Sequence, residues 1–136
     1  MAEIILSNRM QALTDMVTPG TVITDVGCDH GFVSVYLVQK GISPRVIAMD
    51  VRSGPLEHAR EHIREYGLED RIETRLSDGL HSLKTGEATG MICAGMGGPL
   101  MEKILTEGRE QAKGFRELIL QPQSEIPHFR TFLMEE

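Results

Sequence analysis

A chain of 136 residues with 14 Lys+Arg against 20 Asp+Glu carries a formal charge of −6, and its 40% hydrophobic and 25% charged residues are those of a folded globular chain. That length suits one domain over residues 1–136. No apolar run approaches the roughly 18 residues of a membrane span, and Cys28 and Cys93 give neither a zinc spacing nor a disulfide framework, so a soluble, unprocessed, cytoplasmic protein without a metal is expected.

Ser7 is placed to cap a helix over residues 7–17, with Met10, Leu13, Met16 and Val17 on one face and Pro19-Gly20 ending it. Residues 21–26 (TVITDV) form a β-branched strand that stops in the turn Gly27-Cys28-Asp29-His30-Gly31, followed by a helix over residues 32–38. Residues 45–50 (RVIAMD) predict a second buried strand, residues 53–66 a charged helix, and residues 71–76 a more polar strand suited to a sheet edge. A short fourth strand over residues 91–94 runs into a loop with three glycines, Gly95, Gly97 and Gly98; Pro99 then opens a helix over residues 100–107. A fifth strand over residues 117–121 stops at Pro122, and a last helix occupies residues 124–136. Strands separated by helices, with no short hairpins, predict an α/β fold with a doubly wound, mainly parallel sheet in the order 3-2-1-4-5. Ligands of such sheets lie at the carboxyl ends of the strands, where the strand order reverses.

The chemistry gathers at those ends. A glycine turn between strand and helix lets backbone N–H groups approach a ligand, which marks Gly27, Cys28 and Gly31. A dinucleotide fingerprint needs glycine at 27, 29 and 32; Asp29 and Phe32 break it, and the carboxylates of Asp25 and Asp29 would repel a pyrophosphate while favouring an amine or another cationic centre. Asp50, followed by Val51, is placed to accept both hydroxyls of a ribose. Ser77, Asp78 and Gly79 follow the third strand, where a carboxylate can accept from an adenine amine. Together these point to S-adenosyl-L-methionine, giving S-adenosyl-L-homocysteine as product. Gly95 and Met96 would face the transferred methyl, Gly97 and Gly98 leave room for a flat base, and the amides of Gln121 and its neighbours, beside Pro122, could meet the base edge. His58 and His62 have the spacing of metal ligands on a helix but no third ligand, which favours a solvated face. Attack by a neutral adenine N1 on a sulfonium methyl creates a cationic ring; Asp29 is the group expected to stabilise it, with His30 orienting Asp29 or the base.

The segments Leu6-Ser7-Asn8-Arg9, Asp25-Val26-Gly27-Cys28-Asp29-His30, Gly95-Met96-Gly97-Gly98 and Leu118-Ile119-Leu120-Gln121-Pro122 together resemble the bacterial tRNA (adenine-22-N1)-methyltransferase family over nearly the whole chain. The resemblance implies a Rossmann-like class I methyltransferase that methylates N1 of an adenine in tRNA. It places Gly27, Asp29, His30, Asp50, Asp78, Gly79 and Gly95 at the cofactor, and Arg9 at the pocket mouth. Members of that family are longer, so the last strands of the sheet are expected to be missing and the fifth strand to be an edge open to self-association. For tRNA, a cluster of Arg45, Arg52, Arg60 and Arg64 would have to offset the negative charge. The alternatives are a nucleoside-cofactor-binding module without activity and, third, an NAD-binding domain.

Overall fold

The computed structural model describes residues 4–124. Its elements follow in the order α1 (Asn8–Asp15), β1 (Ile23–Val26), α2 (Phe32–Gln39), β2 (Val46–Asp50), α3 (Ser53–Glu65), β3 (Ile72–Leu76), β4 (Gly90–Gly97), α4 (Gly98–Glu107), α5 (Arg109–Ala112) and β5 (Glu117–Ser124). The five strands form one parallel sheet in the order β3-β2-β1-β4-β5, as the alternation of strand and helix predicts.

The central strands are buried on both faces, and their successive side chains serve opposite layers, apolar throughout Val46–Met49 of β2 and broken in β1 by buried Thr24 and Asp25. Along β2, Val46 and Ala48 join Leu13, Val35, Leu37, Leu56 and Ile63 beneath α1, α2 and α3. Ile47 and Met49 point the other way, into a second layer with Leu80, Met91, Met101 and Ile104 beneath α4. The register sets Asp25 beside Ala48 of β2 and Ile92 of β4, so its side chain lies on the α1–α3 face, at the carboxyl end of the central strand.

Ser7 caps α1 as expected, its Oγ accepting from Met10 N at 3.3 Å. Three expectations need correction. The fourth strand does not give way to a loop at Ala94: β4 runs on through Gly95 and Met96 to Gly97, its register against β5 shifting on both sides of Met96 while Gly95 takes a positive φ of 74°. Such bulges let a strand bend without leaving the sheet. Pro122 does not stop β5 either, because it pairs with Met96 at this irregularity on an outer strand, where a missing N–H is tolerated. Ser124 consequently closes β5 instead of opening a helix, and the rest of the expected last helix lies outside the described residues. The short α5 was not foreseen; its four residues show too little periodicity to announce a helix.

Candidate functional site: a divided crevice at the crossing point of the sheet

β1 and β4 are neighbours whose crossovers leave to opposite faces, which opens a crevice above their carboxyl ends. The turn after β1 shapes it. Gly27, Asp29 and Gly31 all have positive φ, at 76°, 53° and 80°, and Asp29 is the only such non-glycine among the described residues. A carboxylate residue tolerates this conformation better than most, at some cost in strain. The hydrogen bonds of the turn correct a second expectation. Gly27 N and Cys28 N both donate to Met49 O, at 2.8 and 2.9 Å, Asp29 N donates to Asp50 Oδ2 at 3.0 Å, and Gly31 N donates to Cys28 O at 2.8 Å. These four donors are spent inside the protein, so Gly27, Cys28, Asp29 and Gly31 offer no free backbone N–H to a ligand.

Two cavities of about 310 and 340 Å³ flank that turn. The first lies on the α1–α2 face, with Arg9, Met10, Asp25, Asp29, His30 and Phe32 in its wall. The second lies over the ends of β2 and β3, with Asp50, Val51, Ser77, Asp78, Gly79 and Leu100 in its wall. Gly27, Arg52, Gly95 and Met96 belong to both and form the partition. A Cβ on Gly27 would displace the flexible Met96 methyl, so it is the positive φ that calls for glycine there.

The carboxylates of this crevice differ in state. Asp25 is 5% exposed and accepts from Ser34 Oγ at 2.9 Å. Burial pushes its carboxyl up to about 6; the Ser34 bond opposes this, and the nearby Asp50 and Asp29 charges add to it. Asp50 is equally sheltered, and burial alone would raise it too. Hydrogen bonds from the Arg52 guanidinium, from Arg52 N and from Asp29 N overcome that and hold its carboxyl below the usual carboxylate range. Asp29 is half exposed and stands 3.9 Å from Arg52 Nη2. Both thiols are free and buried. Burial, with the Asp25 charge next, pushes Cys93 up to about 12 and drives Cys28 higher still, so neither is a nucleophile.

Thus Asp25, Gly27, Cys28, Asp29, Asp50, Val51, Ser77, Asp78, Gly79, Gly95, Met96, His30 and Arg9 are brought to one crevice. Gly31 backs onto Ala59 of α3 instead, where a Cβ would sit 3.1 Å from the alanine's own. Gly97 and Gly98 line neither cavity; Gly97 caps α4 and Gly98 is buried in its first turn. Gln121 lies in β5 with its Oε1 buried and unpartnered among the described residues. His30 does not hold Asp29: Nε2 and Oδ1 are 3.7 Å apart, beyond a hydrogen bond. Its ring stacks on His58 with centroids 5.0 Å apart, while its carbonyl accepts from His62 Nδ1 at 2.8 Å and the His62 ring stacks on Phe32. His58 and His62 are therefore not simply a solvated face. Even so, no group of three or more His, Cys, Asp or Glu is placed to hold a metal among the described residues. The expected arginine cluster also divides. Arg45 pairs with Glu73, Arg60 with Glu57 and Thr74, and Arg64 lies near Glu73, whereas Arg52 is at the other end of β2, on Asp50.

Sequence reasoning missed Met10 and Leu13 as pocket wall, because their three-residue spacing reads equally well as a core-facing stripe. It also missed Arg52 as part of the pocket, although an arginine two residues after a strand-ending aspartate is a visible signal.

A doubly wound parallel sheet in this strand order, with a crevice at its crossing point, defines a Rossmann-like domain. Within that class the chain belongs to the methyltransferase domain family, whose model matches residues 6–136. Over all its 136 residues it is 36% identical to the tRNA (adenine(22)-N(1))-methyltransferase of Bacillus subtilis, and it spans 57% of that protein's length. The solved structure of Streptococcus pneumoniae Sp1610 in complex with S-adenosyl-L-methionine matches it with a TM-score of 0.93 and 32% identity, over 96% of this chain and 62% of that one. Mycoplasma capricolum TrmK, solved with S-adenosyl-homocysteine, matches with a TM-score of 0.86 and 26% identity, over 96% of this chain and 57% of that one. The likeness carried by the glycine turn and the GMGG segment thus extends along the whole chain.

Proposed function

We propose that this domain binds S-adenosyl-L-methionine and transfers its methyl group to N1 of an adenine in tRNA. The observation that carries the reading is the crevice itself: buried Asp25 and Asp50 and exposed Asp78 at three successive strand ends, astride the crossing point, in a chain of this family. The wall suits such a cofactor. Asp78 faces the adenine amine, Asp50 the ribose hydroxyls, and Val51, 61% exposed, offers an apolar surface to the base. Asp25 faces the cationic methionine end in the cavity under α1, which has no cradle for phosphates.

When bound, the cofactor supplies an electrophilic methyl on a sulfonium. The protein then has to position more than to activate, because adenine N1 already has an in-plane lone pair. Arg9 and Phe32 flank the cavity in which the base would be seated. Asp29, half exposed, meets the charge that develops on the methylated ring. His30, tied to α3 through His58 and His62, fixes the far side of the turn.

The test is isothermal calorimetry with S-adenosylhomocysteine, followed by transfer of labelled methyl from S-adenosyl-L-methionine to unmodified tRNA and mapping of the product. Micromolar binding and 1-methyladenosine support the reading. Binding without transfer leaves a cofactor-binding module, and absence of binding overturns the proposal. Asp29→Ala is expected to lower turnover at least a hundredfold while changing S-adenosylhomocysteine affinity less than threefold; equal losses would reduce Asp29 to a cofactor ligand.

A further inference from the structure

The Asp50 carboxylate is fully committed. Its Oδ1 accepts from Arg52 N at 2.9 Å and Arg52 Nε at 3.1 Å, and its Oδ2 from Asp29 N at 3.0 Å and Arg52 Nη2 at 3.2 Å. A carboxylate offers about four acceptor positions, so none is left for a ligand. Two of the four donors are backbone groups fixed by the turns around them. The other two belong to one guanidinium, and that side chain is 59% exposed while the carboxylate beneath is 1% exposed. The same guanidinium forms part of the partition between the two cavities, and its Nη2 already lies 3.9 Å from Asp29 Oδ1.

We infer that Arg52 is a displaceable occupant of the ribose site, and that its withdrawal from Asp50 toward Asp29 is what joins the two cavities into one. The inference rests on the cofactor reading above. Removing the guanidinium frees two acceptor positions, the number a ribose fills with its two hydroxyls, and leaves both backbone bonds in place. The departing side chain exchanges one carboxylate for another, so the charge is not stranded. Binding a nucleoside therefore proceeds against an internal competitor, and affinity is lowered by the cost of opening whatever the ligand's other end does. The methionine end, bound in the other cavity, has Arg52 in its wall but does not use Asp50, so it has no bond of the guanidinium to displace.

The measurement is S-adenosylhomocysteine affinity and association rate for the 136-residue chain, Arg52→Ala and Arg52→Lys. S-adenosylhomocysteine is chosen because it lacks the sulfonium, so loss of a nearby positive charge does not by itself favour binding. Adenosine and methionine serve as half-ligands in competition. Arg52→Ala is expected to bind S-adenosylhomocysteine and adenosine three- to twentyfold tighter, with faster association. Its methionine affinity should be unchanged, and Arg52→Lys, which keeps the charge but loses the fork, should fall between. Weaker or unchanged nucleoside binding by a folded Arg52→Ala overturns the inference and makes Arg52 a ligand grip or a bystander. A general loosening of the pocket would move methionine affinity as well, and that outcome also counts against it. If the unaltered chain and both variants all fail to bind S-adenosylhomocysteine, the cofactor reading falls first and the inference with it; binding by the unaltered chain leaves the cofactor reading standing whichever way Arg52→Ala goes.

Discussion

Asp25 links proton to ligand. With its carboxyl raised to about 6 by burial, it is partly protonated at mildly acidic pH in the free protein. A cation in the same cavity favours the ionised form, so the proton leaves when a cationic ligand enters. Affinity for S-adenosyl-L-methionine is therefore expected to rise as pH increases from 5 to about 6 and to level off above that, by at most tenfold per unit. Asp25→Asn should flatten the profile, and calorimetry between pH 5 and 8 reads both. At Gly27 the constraint is a φ of 76°, and a side chain there would also push the Met96 methyl out of the partition between the cavities. Gly27→Ala is expected to cost roughly 1–3 kcal/mol in urea unfolding and to weaken S-adenosylhomocysteine binding more than tenfold. Gly54, in the first turn of α3 with open space around it and no positive φ, is the control; alanine there should be neutral or stabilising by about 0.5–1 kcal/mol. These residue-level features were unevenly legible. The acidic strand ends could be read because Asp50 closes an apolar run and Asp25 and Asp78 stand beside the glycine turns that end their strands. The ownership of Asp50 by Arg52, and the stacking of His30 on His58, depend on side-chain directions that spacing does not encode.

Among the elements, β3 shows how a polar edge strand is secured. Its Arg75 donates to Glu73 at 2.6 Å, to the Ser82 carbonyl at 2.8 Å, and through both terminal nitrogens to Glu87 at 2.8 and 2.6 Å, tying the strand to the long connection before β4. Arg75, with the Lys84 N–H next, holds the Glu87 carboxyl down at about 2. A depressed carboxyl stabilises the fold above its unfolded value of about 4.5 and loses that contribution as pH falls toward 2. Arg75→Met is accordingly expected to cost about 1–3 kcal/mol at pH 7 and much less at pH 3, read from urea midpoints at the two values. The strands and long helices were legible in the sequence because apolar runs, caps and glycine stops agree with one another. The ends of β4 and β5 were not. Gly95-Met96-Gly97 and Gln121-Pro122 carry the local chemistry of loops, and only pairing between the two strands, with its register shifts, keeps them in the sheet.

For the whole molecule, position along the strands separates stability from binding: the crevice lies at their carboxyl ends, and core positions away from those ends do not line it. Leu37 is fully buried near the end of α2, beneath the sheet and away from both cavities. Leu37→Ala should cost about 2–5 kcal/mol in thermal or urea unfolding while leaving S-adenosylhomocysteine affinity at 20 °C within twofold. No helix among the described residues is long and apolar enough to cross a membrane. The strand order could be read in advance because parallel strands with right-handed crossovers leave few arrangements. The partition of the crevice could not, since it arises where residues from β1, β2 and β4, distant in the chain, converge.

The turn between β1 and α2 closes its own hydrogen bonds on β2, and this bears on how the site could be altered. A phosphate-binding turn has a backbone that is itself the receptor, so it can scarcely change without losing its ligand. Here the backbone donors of Gly27, Cys28 and Asp29 are taken up by Met49 O and Asp50. In the function proposed above, recognition rests with exchangeable side chains at 25, 29, 50 and 78. Such a crevice can be retuned for a different nucleoside one residue at a time, while the route to a dinucleotide would require rebuilding the turn.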